Sequence, residues 1–329
     1  MNVAGEHLRI SVIIPTYNSV QRLTATIRSV LDQSCPAAEI IVIDDGSTDA
    51  TSDVATVFGD RIRYFRIENG GQQRARNYGA AQATGDWIAL LDHDDLWEPD
   101  YLAEVQAIVC AHQVDITLCN SRTWQEDPAG GFWRDEHRFT QFAPPGYWDR
   151  VGADPSARWA VLDRYPYGGY LEFHPSQTSM MTIRRDLYEA LGGFDERMRG
   201  SSAENFEFEI RALRAGRVGL IWRPLVTMVR HDANASLDSC RMAMDLVACL
   251  QFALAAHGLD EDERATATAE LQKRLPSAIY GSFSLGEYDA VRAFRRAYRG
   301  RLSWKARLKC AIARLPRPWA RSIASLLGA

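Results

Sequence analysis

Trp87-Ile88-Ala89-Leu90-Leu91-Asp92-His93-Asp94-Asp95 decides how the rest of the chain is read. Residues 87–91 are apolar and of a length that suits a buried strand, and the carboxylates of Asp92, Asp94 and Asp95 follow directly at its C-terminal end. Acids at the end of a buried strand are costly unless something neutralises them. A divalent cation is the expected neutraliser. Magnesium and manganese favour hard oxygen ligands and bind through one or two carboxylates, with substrate phosphates completing the shell. The competing reading is a solvated Asp-rich turn, and the sequence upstream decides between the two.

Ile10 to Ile14 is a β-branched run that ends at Pro15-Thr16-Tyr17-Asn18, a strand followed by a turn. Within Gln21–Leu31 the apolar residues Leu23, Ile27, Val30 and Leu31 have helical spacing, and Pro36 stops the pattern. Glu39–Ile43 is a second strand running into Asp44-Asp45-Gly46-Ser47-Thr48-Asp49, with Asp49 or Thr51 as cap of a helix over Ser52–Phe58. Ile62–Ile67 is a third strand, Gly70-Gly71 a loop, and Gln73–Ala83 a helix leading to the strand at Trp87. Alternation of this kind predicts an α/β fold with a doubly wound, mostly parallel sheet. Ligands bind such sheets at the carboxyl ends of the strands. Tyr17-Asn18, Asp44-Asp45 and Asp92–Asp95 all fall at such ends, so one rim collects three polar clusters.

With these segments in order, the chain resembles the family 2 glycosyltransferases of the GT-A fold. The resemblance rests on Ser11–Asn18, Ile43–Asp49, Gly70–Gly79 and Gly85–Asp95, with a further match at Gly192-Gly193-Phe194-Asp195-Glu196. It is dense over about the first 100 residues and sparse over 175–232. It implies a Rossmann-like nucleotide-binding half (1–120), a half for acceptor and catalytic base (121–235), and a helical C-terminal extension with a basic tail (236–329). It also implies roles for single residues. Pro15, Thr16, Tyr17 and Asp45 would contact the base of a nucleotide-sugar, with uridine the expected base. Asn18 and Asp44 belong to the same rim, although both could serve only in turn hydrogen bonds. Asp92 would approach the ribose beside His93, and Asp94 would bind Mn2+ or Mg2+ on the diphosphate. Arg76 and Asn77 would flank the site, with Arg76 able to offset phosphate charge.

Residues 121–175 carry Trp124, Trp133, Trp148 and Trp159 with little periodicity. Aromatic faces suit a sugar or a lipid-linked acceptor, and they equally suit an aromatic mini-core under a lid. Ser179–Ile183 reads as a strand and Arg185–Leu191 as a short helix closed by Gly192-Gly193. Ala203–Arg214 is the next helix, with Phe206, Ile210 and Leu213 on its core face. The family usually begins this helix with Glu-Asp, the Asp being the base; here the pair is Glu204-Asn205. Asparagine cannot take a proton from a hydroxyl at neutral pH. The departure makes Glu204 the favoured base, leaves Glu207 and Asp195 as alternatives, and leaves a weak or inactive transferase as the third option. Val226–Arg230 is a strand ending at His231, which in relatives approaches the metal or the diphosphate.

The chain has 329 residues and a net charge of −4, which argues against a nucleic-acid partner. Six cysteines without C-x-x-C or metal spacing suit reduced thiols and a cytoplasmic protein. The N-terminal residues do not read as a secretory signal. No stretch is expected to span a bilayer, the best candidate being Leu246–Ala256 with Gln251 inside. Helices are expected over about 242–257, 261–274, 277–284, 287–299 and 303–314. Tyr288–Ala329 holds eleven Lys or Arg and one acid, Asp289, which leaves the rest of the chain at −14. Trp304, Leu308, Ile312 and Leu315 fall among these cations, a pattern for peripheral contact with the inner face of a membrane or for a packed cap.

The expected function is therefore transfer of a sugar from a nucleoside-diphosphate-sugar to a hydroxyl of a glycan or glycolipid, as in polysaccharide and cell-envelope synthesis. Inversion is expected, with retention left open by the altered base position. The rivals are a nucleotide-sugar-binding protein without turnover and a nucleotide-cofactor oxidoreductase. The second is disfavoured because Pro-Thr-Tyr-Asn, and not G-x-G-x-x-G, follows the first strand.

Overall fold

The computed structural model describes residues 7–126, 130–201, 203–231 and 239–326. The expected boundary at 235/236 and the last residues of the basic tail lie outside them. The chain divides into two compact units, residues 1–199 with 208–231, and residues 200–207 with 232–329.

The first unit opens with β1 (Ile10–Thr16), α1 (Val20–Leu31), β2 (Glu39–Asp44), α2 (Asp53–Phe58), β3 (Arg63–Arg66), α3 (Gln72–Gln82) and β4 (Trp87–Leu90). It continues with β5 (Leu96–Trp97), α4 (Tyr101–His112), β6 (Ile116–Gln125), β7 (Phe132–His137), α5 (Arg138–Gln141), α6 (Tyr147–Val151), β8 (Trp159–Leu162) and α7 (Tyr167–Glu172). β9 (Met181–Arg184), α8 (Arg185–Ala190), α9 (Glu204–Ala215) and β10 (Val218–Arg230) follow, the first turn of α9 belonging to the second unit. The strands lie in the order β3-β2-β1-β4-β9-β6-β10-β5, with β7 against β6 and β8 against β10.

β3, β2, β1 and β4 are mutually parallel, as the strand–helix alternation predicts. β9 then runs antiparallel between β4 and β6, and β10 restores a parallel pair with β6. The connections leave β1 toward β2 on one side and return to β4 on the other. The gap outside the carboxyl ends of β1 and β4 is thus the point where the winding reverses, the usual ligand crevice of such sheets. All seven residues of β1 and all four of β4 are buried, so both strands lie inside the sandwich and not at its surface.

Two segments differ from the sequence reading. β10 is thirteen residues long, although only Val226–Arg230 reads as strand. Its register against β6 shifts on both sides of Pro224, and a shift of that kind is what lets a proline lie within a sheet. The aromatic stretch 121–175 is mainly core. Phe139, Tyr147, Trp148, Phe173 and Trp222 meet through edge-on and tilted contacts with centroids 4.9–6.4 Å apart, while Phe132 and Trp133 of β7 remain exposed.

The second unit contains α10 (Ser239–Ala256), α11 (Glu261–Ser284), α12 (Tyr288–Ala297), α13 (Trp304–Ile312) and α14 (Arg317–Leu326). The expected break near 275 is absent. Pro276 lies inside α11, and the cost of a proline there is offset by burial of Leu271, Leu275, Ile279 and Phe283. Pro318 likewise opens α14, because the first turn of a helix needs no N–H partner there. α10 is longer than the Leu246–Ala256 stretch considered from sequence. At 18 residues and mean hydropathy 1.3 it is apolar enough to cross a membrane by length and composition, a criterion that core helices also meet. Its Met244, Val247, Leu250 and Ala253 are buried.

Candidate functional site

The rim at the carboxyl ends of β1, β2 and β4 brings together most of the residues singled out from sequence. Thr16 ends β1 and is buried, Tyr17 is exposed, and Asn18 adopts φ 49° so that its side chain turns toward the β2 loop. Asn18 Oδ1 accepts from the Thr48 N–H at 2.7 Å, and the Asn18 N–H donates to Ser47 Oγ at 2.9 Å. The β1 and β2 turns are thereby locked to each other. Gly46 completes the lock: its φ is +78°, and a Cβ there would meet Asn69 N at 3.0 Å.

Asp44 and Asp45 divide the work. Asp44 is fully buried, with Oδ1 accepting from Ser47 N–H at 2.7 Å and Oδ2 from the Tyr64 hydroxyl. Burial and the neighbouring Asp44 carboxylate push the Tyr64 hydroxyl pKa upward, so it stays a donor. Both Asp44 oxygens are occupied within the protein, which gives this residue the turn role. Asp45 reaches across to the next loop, where Oδ1 and Oδ2 accept from the N–H groups of Gly70 and Gly71 at 2.7 and 2.8 Å. The β2 loop and the loop before α3 therefore form one continuous edge of the crevice.

The three acids after β4 are each compensated differently. Arg76, wholly buried on α3, donates to Asp92 Oδ1 at 2.6 Å and to Gln72 Oε1 at 2.8 Å, with its guanidinium 5.0 Å from the Phe194 ring centre. Its charge is matched by Asp92. Asp94 Oδ2 lies 3.0 Å from His231 Nε2. Burial works to raise the Asp94 pKa, but the His231 hydrogen bond and the charges of His93 and His231 outweigh it and hold the carboxyl below its ordinary value. Asp95 is buried; its Oδ2 accepts from Ser179 Oγ at 2.5 Å and its Oδ1 from the Val229 N–H at 3.2 Å. Burial, then the charges of Asp94 and Asp92, push its pKa well up despite those bonds. His93 turns its Nδ1 toward the Pro15 carbonyl at 3.3 Å, which ties the acid turn to the end of β1.

Asn77 faces the Gly193 loop. Its amide donates to the Phe194 carbonyl at 2.9 Å and to Glu196 Oε1 at 3.1 Å, and its Oδ1 accepts from Tyr188 OH and the Phe194 N–H, both at 2.9 Å. Its capacity is spent on the loop that closes over α3. A Cβ on Gly193, at φ +66°, would lie 2.4 Å from Asn77 Oδ1, and Gly192, at φ +74°, is a glycine for its backbone angle. Ser179 is the residue the sequence reading missed. Its hydroxyl accepts from the Asp92 N–H at 3.1 Å and donates to Asp95, so it sets the shape of the acid turn. The signal was the polar run Ser176–Ser179 placed just before β9.

Asp94 and His231 are the side chains able to hold a divalent cation. Among the described residues no group of three or more His, Cys, Asp or Glu is arranged to do so. Two protein donors in mutual contact fit Mg2+ or Mn2+ when diphosphate oxygens complete the shell.

Glu204, Asn205 and Glu207 lie at the start of α9, in the second unit. Glu204 and Glu207 are both buried, and Glu207 Oε1 is 2.9 Å from Nε2 of the buried His257. Asp195 caps a short turn and is paired with Arg197 at 2.6 Å. On the same helix, but in the first unit, buried Glu209 accepts through one oxygen from Tyr170 OH at 2.9 Å and from Ser176, and lies 2.7 Å from His174 Nε2.

Residues 11–171 match the family model described as Glycosyl transferase family 2. An uncharacterized glycosyltransferase of Rickettsia conorii is 42% identical over 112 residues, 33% of this chain and 17% of that protein. The uncharacterized glycosyltransferase YibD of Escherichia coli is 32% identical over 162 residues, 46% of this chain and 45% of that protein. The chain thus spans less than half the length of either. Among solved structures, S. aureus TarS 1–349 matches with a TM-score of 0.61 at 18% identity, covering 97% of this chain and 92% of that one. The same protein in complex with UDP-GlcNAc matches with a TM-score of 0.59 at 17% identity, over the same shares of the two chains. The likeness extends over the sheet and the C-terminal helices, and the fold is GT-A.

Proposed function

With residues 11–171 belonging to Glycosyl transferase family 2, we propose that this chain is a glycosyltransferase that moves a sugar from a UDP-sugar to a hydroxyl of a glycan or glycolipid acceptor. The observation that carries the reading is the convergence of the β1 turn, the Asp45–Gly70-Gly71 edge and the Asp92–Asp94 turn on the crevice where the sheet winding reverses. A nucleoside diphosphate fits such a rim. Tyr17 offers an exposed ring to the base, and the Asp92 carboxylate, partly exposed and held by Arg76, offers an acceptor to the ribose. That TarS has a complex with UDP-GlcNAc supports uridine as the base.

Asp94 and His231 would hold Mn2+ or Mg2+. Such an ion, when bound, stabilises charge developing on the leaving diphosphate. The chain's own part is to fix the donor, exclude water from the acid turn and take the acceptor's proton. In the reaction the bond from the anomeric carbon to the diphosphate oxygen breaks, and the acceptor oxygen bonds to the same carbon from the opposite face, with inversion. The proton of the acceptor hydroxyl passes to a carboxylate. Glu204, the acid next to the family's base position, is assigned that role from its place in the sequence; Glu207 is less suited because it is engaged with His257. Residues 1–120 would serve the donor and 121–235 the acceptor.

Thermal unfolding with UDP-sugars tests the reading, since a ligand bound only by the folded state raises the midpoint as its concentration exceeds Kd. A rise with UDP-GlcNAc or another UDP-sugar that is larger with manganese supports it. No rise with any nucleotide-sugar overturns it. Asn205 favours one second reading, a nucleotide-sugar-binding protein without turnover. That reading predicts the same thermal shift with neither transfer nor donor hydrolysis.

A further inference from the structure

We propose that α13 and α14 form a docking face for an anionic lipid bilayer. The inference concerns where the chain sits and is independent of the reaction assigned above.

Apart from the buried Ile312, both helices turn small residues inward and expose large apolar ones, the reverse of a packed cap. α13 turns Ala306, Cys310 and Ala313 inward. On its outer side Trp304 is 65% exposed and Leu308 43%, with Ala311 between them and Leu315, 37% exposed, just beyond the helix end. At about 100° per residue Trp304, Leu308 and Ala311 fall within an arc of roughly 60°, and Leu315 follows past the helix end. The stripe expected from sequence included Ile312, but Ile312 is buried and Ala311 takes its place. α14 repeats the pattern. Ala320 and Ala324 are buried, while Trp319 is 68% and Leu326 85% exposed, with Ile323 one turn from each. Among the described residues, half of the large exposed apolar side chains lie between Leu285 and Leu326.

Cations flank both stripes. Lys305, Arg307, Arg314 and Arg321 are exposed, and the single acid of the segment, Asp289, is already paired with Arg292 and Arg317. Exposed tryptophans among cations fit the headgroup region of a bilayer, where an indole has an apolar bed and a polar boundary. A polyanion without aromatic rings would use the cations and leave the tryptophans idle. A second copy would bring an α13/α14 surface of net +6 against one of equal charge.

The test is sedimentation of the full chain with phosphatidylcholine vesicles containing about one-third phosphatidylglycerol, at about 50 mM and about 500 mM salt. Binding is expected at low salt, weakened at least about tenfold at high salt and absent with pure phosphatidylcholine. The double variant Trp304→Ser/Trp319→Ser and the charge variant Lys305→Glu/Arg307→Glu are each expected to weaken binding about tenfold or more without lowering the thermal midpoint. No binding to the anionic vesicles at low salt overturns the proposal. So does binding that the tryptophan variant leaves unchanged, which assigns the face to a polyanion. A dimer in sedimentation velocity that Trp319→Ser dissociates assigns it to a second copy and also overturns it.

Discussion

Replacing Arg76 with methionine tests how the acid turn is held. The guanidinium is wholly buried, and its nitrogen lies 2.6 Å from Asp92 Oδ1. At an effective dielectric of about 20, charges that close attract by about 6 kcal/mol. The Asp92 side chain is 23% exposed, so water offsets roughly half of that when the partner is removed. Loss of the contact with Phe194 adds about 0.5–1 kcal/mol, and the expected total is about 3–4 kcal/mol. Urea unfolding without divalent cations measures the loss, and hydrogen exchange of Trp87–Leu90 shows that it is centred on β4. In the double-mutant cycle with Asp92→Asn, a coupling energy of about 1.5 kcal/mol or more is expected, because the neutral partner no longer needs the arginine. A loss under about 1 kcal/mol in Arg76→Met, with the parent protein strongly destabilised by chelation of divalent cations, would refute the reasoning. The acids would then be held by a metal and not by the protein's own cations.

Three further outcomes are expected. Asp94→Asn keeps the fold and loses the manganese-dependent part of UDP-sugar affinity in titration calorimetry; unchanged manganese dependence would remove Asp94 from the ligand set. Glu204→Gln lowers turnover by roughly 10²–10⁴-fold with donor affinity little changed, and Asn205→Asp retains or raises it, whereas near-normal turnover in Glu204→Gln moves the base elsewhere. Glu39 tests pH dependence away from the site. Burial works to raise its pKa, but hydrogen bonds from the Thr84 N–H, Ser11, Arg63 and the Thr84 hydroxyl bring it to about 2. Because the folded pKa is depressed, its stabilisation is present above about pH 4.3 and fades as pH falls toward 2. It amounts to on the order of 2 kcal/mol after allowance for solvent, and Glu39→Gln should lack that pH-dependent loss in acid-unfolding curves.

The sequence made the strands and the rim legible because both follow from short-range patterns. β1, β2 and β4 are short apolar runs that stop at polar turns, so their C-terminal ends carry Thr16, Asp44 and Asp92 whatever the rest of the fold does. Partner choice is a long-range matter and was not legible. Arg76 could be placed beside the rim, but only the packing of α3 on β1 and β2 decides that it meets Asp92. Asn77 likewise reads as lying beside the rim, and its partners in the Gly193 loop are more than 100 residues away in sequence. Ser179 escaped notice because the polar run Ser176–Ser179 before β9 does not say which acid its last hydroxyl will meet. Pro224 and Pro276 misled in the other direction: local rules end an element at proline, and tertiary burial carries the element through.

The bonds that Asp95 makes bear on the order in which the chain is made. Its carboxyl is satisfied by Ser179 and by the Val229 N–H, and the turn it belongs to is fastened again by His231 on Asp94. At about 5–20 residues per second, a ribosome that has finished Asp95 needs roughly 7–27 s more to reach Val229. Through that interval the nucleotide rim has its strands but lacks the partners of one of its buried acids. β4 meanwhile presents an unpaired edge where β9 will later dock. A nascent chain in this state keeps a strand edge open to misassociation. A fragment ending near residue 120, although it contains nearly the whole rim, would keep that edge and that acid permanently open.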